Sequence, residues 1–139
     1  VAYNTQGISR KSAEFRGAEG CKAKRVLVYG DAVGEAKNAP GANAGNLFGV
    51  TFDSAEDGKA VALSQYGFPE IEISQPIPVN TRVNVAADGG NPNDRGMIKP
   101  VNEAVGTVVN LVGITKSAGT RKGQRVMVDC RRFGEQIVV

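Results

Sequence analysis

The chain has 139 residues, a formal net charge of +3, 18 glycines, two cysteines, and neither tryptophan nor histidine. A chain of this length can bury a core without disulfide or metal staples, and the missing histidine removes the commonest general base and the usual zinc ligand. No stretch is long and apolar enough to span a bilayer, and the first residues do not read as a secretory signal, so a soluble product is expected.

Residues 1–23 show no sustained period and read as an extended N-terminal arm ahead of a single β-domain over 24–139. The arm carries Arg10, Lys11 and Arg16 around Phe15. From Lys24 the text changes to Lys-Arg-Val-Leu-Val-Tyr, a run of β-formers that ends at the turn signal Gly30-Asp31. Residues 31–46 are mostly turn formers and small side chains and read as loop. A hairpin is expected over 47–52 and 60–66. Residues 67–74 alternate, with Ile71 and Ile73 on one face and Glu70 and Glu72 on the other. The two prolines of Gln75-Pro-Ile-Pro-Val79 keep that stretch extended and out of a central ladder. Residues 81–86 alternate again with Val83 and Val85 inward, 87–96 form an exposed loop, and 97–100 a short strand. Residues 106–115 are the longest apolar run, 124–129 a further strand, and 135–139 an edge strand. About eight to ten short strands separated by turns is the pattern of a small antiparallel β-sandwich or barrel. The expected fold is therefore all-β, jelly-roll-like, with an extended arm.

One stretch is written twice. Leu47, Gly49, Val50 and Thr51 return as Leu111, Gly113, Ile114 and Thr115. Ala55 answers to Ala118, Gly58 to Gly123, and Val61 and Leu63 to Val126 and Val128, with one extra residue in the second copy. Two copies are too few for a solenoid, which needs about three stacked repeats. They predict two related hairpins facing each other in one small β-domain.

Nothing in the sequence supplies a reaction centre. There is no phosphate-cradling Gly-rich loop followed by Lys, no strained nucleophile elbow, and no histidine for a serine triad. Asp53, Glu56 and Asp57 lack the spacing of a calcium loop and read as a solvated turn, as do Asp88 and Asp94. Cys21 and Cys130 fit no metal spacing and read as reduced, inert thiols. The expectation is a protein that is no enzyme and has no cofactor or metal. Charge is uneven: six basic and two acidic residues in 1–25, and the same in 116–139, flank a middle with five basic and ten acidic ones. Basic ends favour steered contact with a negative partner. A basic nucleic-acid-binding barrel is the alternative, although the strands over 81–86, 106–115 and 124–129 carry no aromatic on which bases could stack.

The order Leu47-Phe-Gly-Val-Thr, Gly58-x-x-Val61-x-Leu63, Gly67, Pro76-Ile-Pro-Val before Arg82-Val-Asn-Val-Ala, Gly106-Thr-Val-Val and Leu111-Val-Gly-Ile-Thr resembles the small capsid decoration, or cement, proteins of tailed double-stranded-DNA bacteriophages. The similarity runs from about Arg25 to Val128. The resemblance implies a structural virion protein, made in the host bacterial cytoplasm, that binds the capsid exterior and bridges neighbouring major capsid protein subunits. It implies self-association as a homodimer or homotrimer at shell symmetry axes, with no specific nucleic acid and no membrane as partners. On this reading Arg10, Lys11, Phe15 and Arg16 order against the shell.

Overall fold

In the computed structural model the described residues are 20–139, together with the backbone of Arg10–Lys11 and Arg16–Gly17. Among them every regular element is a strand apart from a 3-10 turn over Pro92–Asp94. The strands are β1 (Arg10–Lys11), β2 (Arg16–Gly17), β3 (Val26–Tyr29), β4 (Glu35–Asn38), β5 (Leu47–Thr51), β6 (Leu63–Ser64) and β7 (Glu70–Glu72). They continue as β8 (Arg82–Val85), β9 (Ile98–Pro100), β10 (Val108–Asn110), β11 (Gly113–Thr115), β12 (Arg125–Asp129) and β13 (Gln136–Val138).

The strands form one sheet in the order β1-β6-β5-β3-β4-β2, a second in the order β7-β12-β11-β8-β9, and a β10-β13 pair. Chain geometry requires the first sheet to roll up. Its outermost members β1 and β2 would lie about 24 Å apart in a flat sheet, yet the five steps from Lys11 to Arg16 span at most about 18 Å. The second sheet closes in the same way. β7 pairs with β12 at one edge, and Ile73, the residue directly after it, bridges to Ile98 of β9 at the other. Each half of the chain is thus a small barrel, which fits the all-β expectation.

The two barrels share one wiring diagram. Leu27 pairs with Gly49 and Asn38 in the first, as Val83 pairs with Gly113 and Pro100 in the second. Thr51 opposes Leu63 as Thr115 opposes Val128. The parallel contact of Gly17 with Ala36 answers to that of Ile73 with Ile98. The bridges Cys21 to Ala55 and Ile77 to Gly119 also correspond, so the counterpart of Ala55 is Gly119 rather than Ala118. The duplication therefore takes in nearly the whole described chain, where the sequence showed only a hairpin. Among the described strands, only β10 and β13 stand outside it.

Matching positions do matching work. The Thr51 hydroxyl donates to the Lys22 carbonyl (2.5 Å) and accepts from the Arg25 N–H (3.0 Å). The Thr115 hydroxyl donates to the Pro78 carbonyl (2.7 Å) and accepts from the Thr81 N–H (3.0 Å). Both knots follow a left-handed residue, Lys24 (φ 59°) and Asn80 (φ 56°). The two threonines are buried, at 2% and 0% exposure. Replacing either hydroxyl by a methyl strands a buried N–H, which costs about 1–3 kcal/mol. Thr51→Val and Thr115→Val are expected to lose similar stability, read as a lowered midpoint of urea unfolding with unchanged slope.

Six matched positions contribute to the core of each barrel. Cys21, Leu27, Ala36, Phe48, Val61 and Leu63 are the matched set in the first, and Ile77, Val83, Ile98, Val112, Val126 and Val128 in the second, where Ile71, Ile73 and Val85 join them. The barrels differ on the outside. Val26, Val28 and Val50, on the back of the first barrel, belong to the core cluster that fills the second. Their counterparts are Arg82, which is exposed, Asn84, and Ile114, which is half-buried. β3 is therefore buried on both faces and reads as a continuous apolar run, while β8 alternates. The two units do not face each other as the hairpins were expected to. The back of the first is covered by the second, and the corresponding back of the second is not.

Some strands match expectation closely, including β3, β7, β8, β9 and β13. β4 falls inside the stretch expected to be loop. Its sequence Glu-Ala-Lys-Asn has little strand propensity, and ladder bonds to β3 on one side and β2 on the other hold it extended.

Candidate functional site

The residues expected to bind a partner lie on the arm. Arg10 and Lys11 pair through their backbone with Ser64 and Leu63, and Arg16 pairs with Glu35, so these three positions sit on opposite edges of the first sheet. Phe15 lies outside the described residues.

Where the two barrels meet, a buried cation holds them. Arg25 is 5% exposed. Its Nε donates to Glu72 (2.8 Å), and its Nη1 donates to the carbonyls of Asn93 (2.7 Å) and Arg95 (2.9 Å). The backbone closes the same seam: Val26 N–H to Gly96 O (2.8 Å), Gly96 N–H to Ala39 O (3.0 Å), and Glu72 N–H to Lys24 O (2.9 Å). The β8–β9 connection of the second barrel is thus the element that docks on the back of the first.

A polar network covers part of the second barrel's own back. Lys99 Nζ donates to Glu103 (2.9 Å) and Asn102 (2.7 Å), and Asn84 Nδ2 donates to Glu103 (3.1 Å) and Asn43 (3.3 Å). Asn43 in turn accepts from the Asn110 N–H (2.8 Å) and donates to the Val108 carbonyl (2.9 Å). Burial alone would raise the Glu103 pKa; hydrogen bonds from Lys99, Asn84 and the Asn102 N–H outweigh it and hold the carboxyl below its ordinary value.

Beyond that network the back of the second barrel is open. A cleft of about 400 Å³ has Leu111, Gly113 and Ile114 along its floor and Lys116, Asp129 and Arg131 at its rim. Arg131 grips Asp129 through Nη2 (2.7 Å) and Nε (3.0 Å). That hydrogen bonding holds the Asp129 carboxyl below its usual range against the opposing effect of burial. Arg82 stands exposed beside Ile114, its cross-strand neighbour. The surface is basic with an apolar floor, suited to an acidic partner segment with an apolar tip.

A second feature lies on the first barrel. The β3–β4 connection is a short turn through Asp31, Ala32, Val33 and Gly34. Val33 at its tip is fully exposed, and Tyr29 at its base is 51% exposed while stacking on Phe48 with ring centroids 4.5 Å apart. Asp31 and Glu35 flank the tip. Sequence reading missed both surfaces, because they are defined by what covers the equivalent position in the other barrel.

The described residues contain no group of three or more His, Cys, Asp or Glu side chains able to hold a metal ion. Both cysteines are free and buried. Burial pushes the Cys21 thiol up to about 11. Burial, with Asp129 adding to it, pushes Cys130 up as well. Both stay protonated and poorly nucleophilic near neutral pH.

No protein-family model matches the chain, and no curated protein matches it. Among solved structures it is similar to the N base of the head fiber gp8.5 of bacteriophage phi29, with a TM-score of 0.65. The match covers 91% of this chain and 98% of that one at 15% sequence identity, a likeness of fold.

Proposed function

We propose that this chain is a structural protein of a tailed-phage virion that binds the outside of the capsid and bridges neighbouring major capsid protein subunits. The observation that carries the reading is the near full-length fold likeness to a phage head fiber base, and the resemblance of the repeat and its surroundings to capsid decoration proteins supports it. On this reading the chain is made in the host cytoplasm, ends on the capsid exterior, and works by binding rather than catalysis. Many modest contacts repeated over a symmetric shell add through effective concentration. Arg10, Lys11, Phe15 and Arg16 are the proposed shell contacts of the arm.

The test mixes the purified chain with undecorated phage shells and measures bound copies per shell by sedimentation. Saturable binding at a fixed stoichiometry is expected, weakened by replacing Arg10, Lys11 and Arg16 together with serine. Absence of binding to shells, with retention on free DNA that falls steeply as salt rises, would instead favour the nucleic-acid reading.

A further inference from the structure

The contact that joins the two barrels is heterologous: the β8–β9 connection of the second meets the back of the first. Each partner in that contact has a counterpart elsewhere in the molecule. The counterpart of the β8–β9 connection is the turn through Asp31–Gly34, and the counterpart of the Val26–Val50 face is the face carrying Arg82 and Ile114. Within one chain these two counterparts do not meet. The turn projects Val33 into solvent, and the face lies open around the cleft floored by Leu111, Gly113 and Ile114.

We propose that a second copy of this chain fills the cleft, inserting the Val33 turn of one molecule into the Ile114 face of the next. Three observations converge on a second copy as the occupant. The contact repeats one that the chain already makes with itself, between elements of the same wiring. Charge is complementary: Asp31, which pairs with Lys37, and Glu35 flank the tip, while the cleft is lined by Lys116, Arg131 and Arg132 against the single carboxylate of Asp129, with Arg82 exposed beside Ile114. Apolar surface is also paired: the turn is short and ends in one exposed apolar side chain, Val33, and the cleft of about 400 Å³ is lined in part by Leu111, Gly113 and Ile114. A heterologous contact of this kind does not end in a two-fold pair; it closes into a ring or runs on. The proposal stands on the repeat within the chain and is independent of the capsid reading.

The native cysteines are buried with raised pKa values, so introduced thiols can be cross-linked cleanly. Val33→Cys and Ile114→Cys are made as separate single variants, checked for wild-type unfolding midpoints, and treated with a short bis-maleimide alone and mixed. The expected result is a cross-linked dimer in the mixture and none in either variant alone. Sedimentation velocity of the wild type is expected to show concentration-dependent association, which Ile114→Asp abolishes by setting a carboxylate against Asp31 and Glu35. A wild type that stays monomeric at every soluble concentration, no cross-link in the mixture, or cross-linking within a single variant would each overturn the proposal. None of these readouts uses a shell, so its failure and failure of capsid binding are told apart.

Discussion

Arg25→Ala is expected to lose about 3–5 kcal/mol of stability, the cost typical of breaking a buried ion pair from one side. The guanidinium is 6% exposed at the side chain and its partner Glu72 is 19% exposed. Among the described residues, removing it leaves Glu72 with the longer contact to Arg125 (3.5 Å), and it takes the donor away from the Asn93 and Arg95 carbonyls at the seam. Arg25→Lys restores charge but not the planar fork that reaches a carboxylate and two carbonyls together, so it recovers only part of the loss. Arg25→Met keeps most of the packing, and the gap between the methionine and lysine variants separates charge from shape. Urea unfolding followed by far-UV circular dichroism measures all three. A loss below about 1 kcal/mol for Arg25→Ala, the range of a surface pair, would show that the seam does not depend on this cation.

Gly96→Ala is expected to cost about 3 kcal/mol, because two penalties fall on one position. Its φ of +84° is disfavoured for any residue with a Cβ, at about 1–2 kcal/mol. A Cβ there would also stand 2.7 Å from the Val26 carbonyl oxygen and 2.9 Å from the Arg25 Cβ, and such overpacking adds about 1–3 kcal/mol. The nearest atom is backbone at the barrel seam, so relief requires the barrels to part. Gly123→Ala is the control. It shares the positive φ (+90°) but meets no atom within 4 Å, so it is expected to pay the conformational penalty alone. Equal unfolding midpoints for the two variants would remove the steric part of this account.

Much of the fold was legible because alternation survives wherever one face of a strand is buried. Val83 and Val85, and Ile71 and Ile73, point inward as their spacing requires. The repeat was visible at Gly49 and Gly113, where strands approach so closely that a Cβ would meet the Ser64 carbonyl oxygen at 2.6 Å in one barrel and Val128 Cγ1 at 2.7 Å in the other. It was visible at Thr51 and Thr115 because each ties the same knot. Elsewhere the duplication was hidden by exchanges that keep the backbone and change the side chain: Leu27 for Val83, Cys21 for Ile77, Phe48 for Val112. β4 was invisible because its ladder partners, not its residues, make it a strand. The open cleft was hidden for a related reason. The contrast between the apolar run Val26-Leu27-Val28 and the alternating Arg82-Val83-Asn84 does report which barrel has a covered back, but only once the two strands are known to be equivalent.

The rolled first sheet has a practical consequence for the arm. Backbone of the same short segment lies along β6 at one edge and β4 at the other, so cutting the chain back past Gly17 would bare two unpaired strand edges at once. Exposed edges template association with other chains. A truncated protein is therefore expected to aggregate or to be clipped by proteases near Glu35–Asn38, whatever the arm binds. Loss of capsid binding in such a truncation would report a broken barrel, which is why the arm is better tested by changing its side chains on an intact backbone.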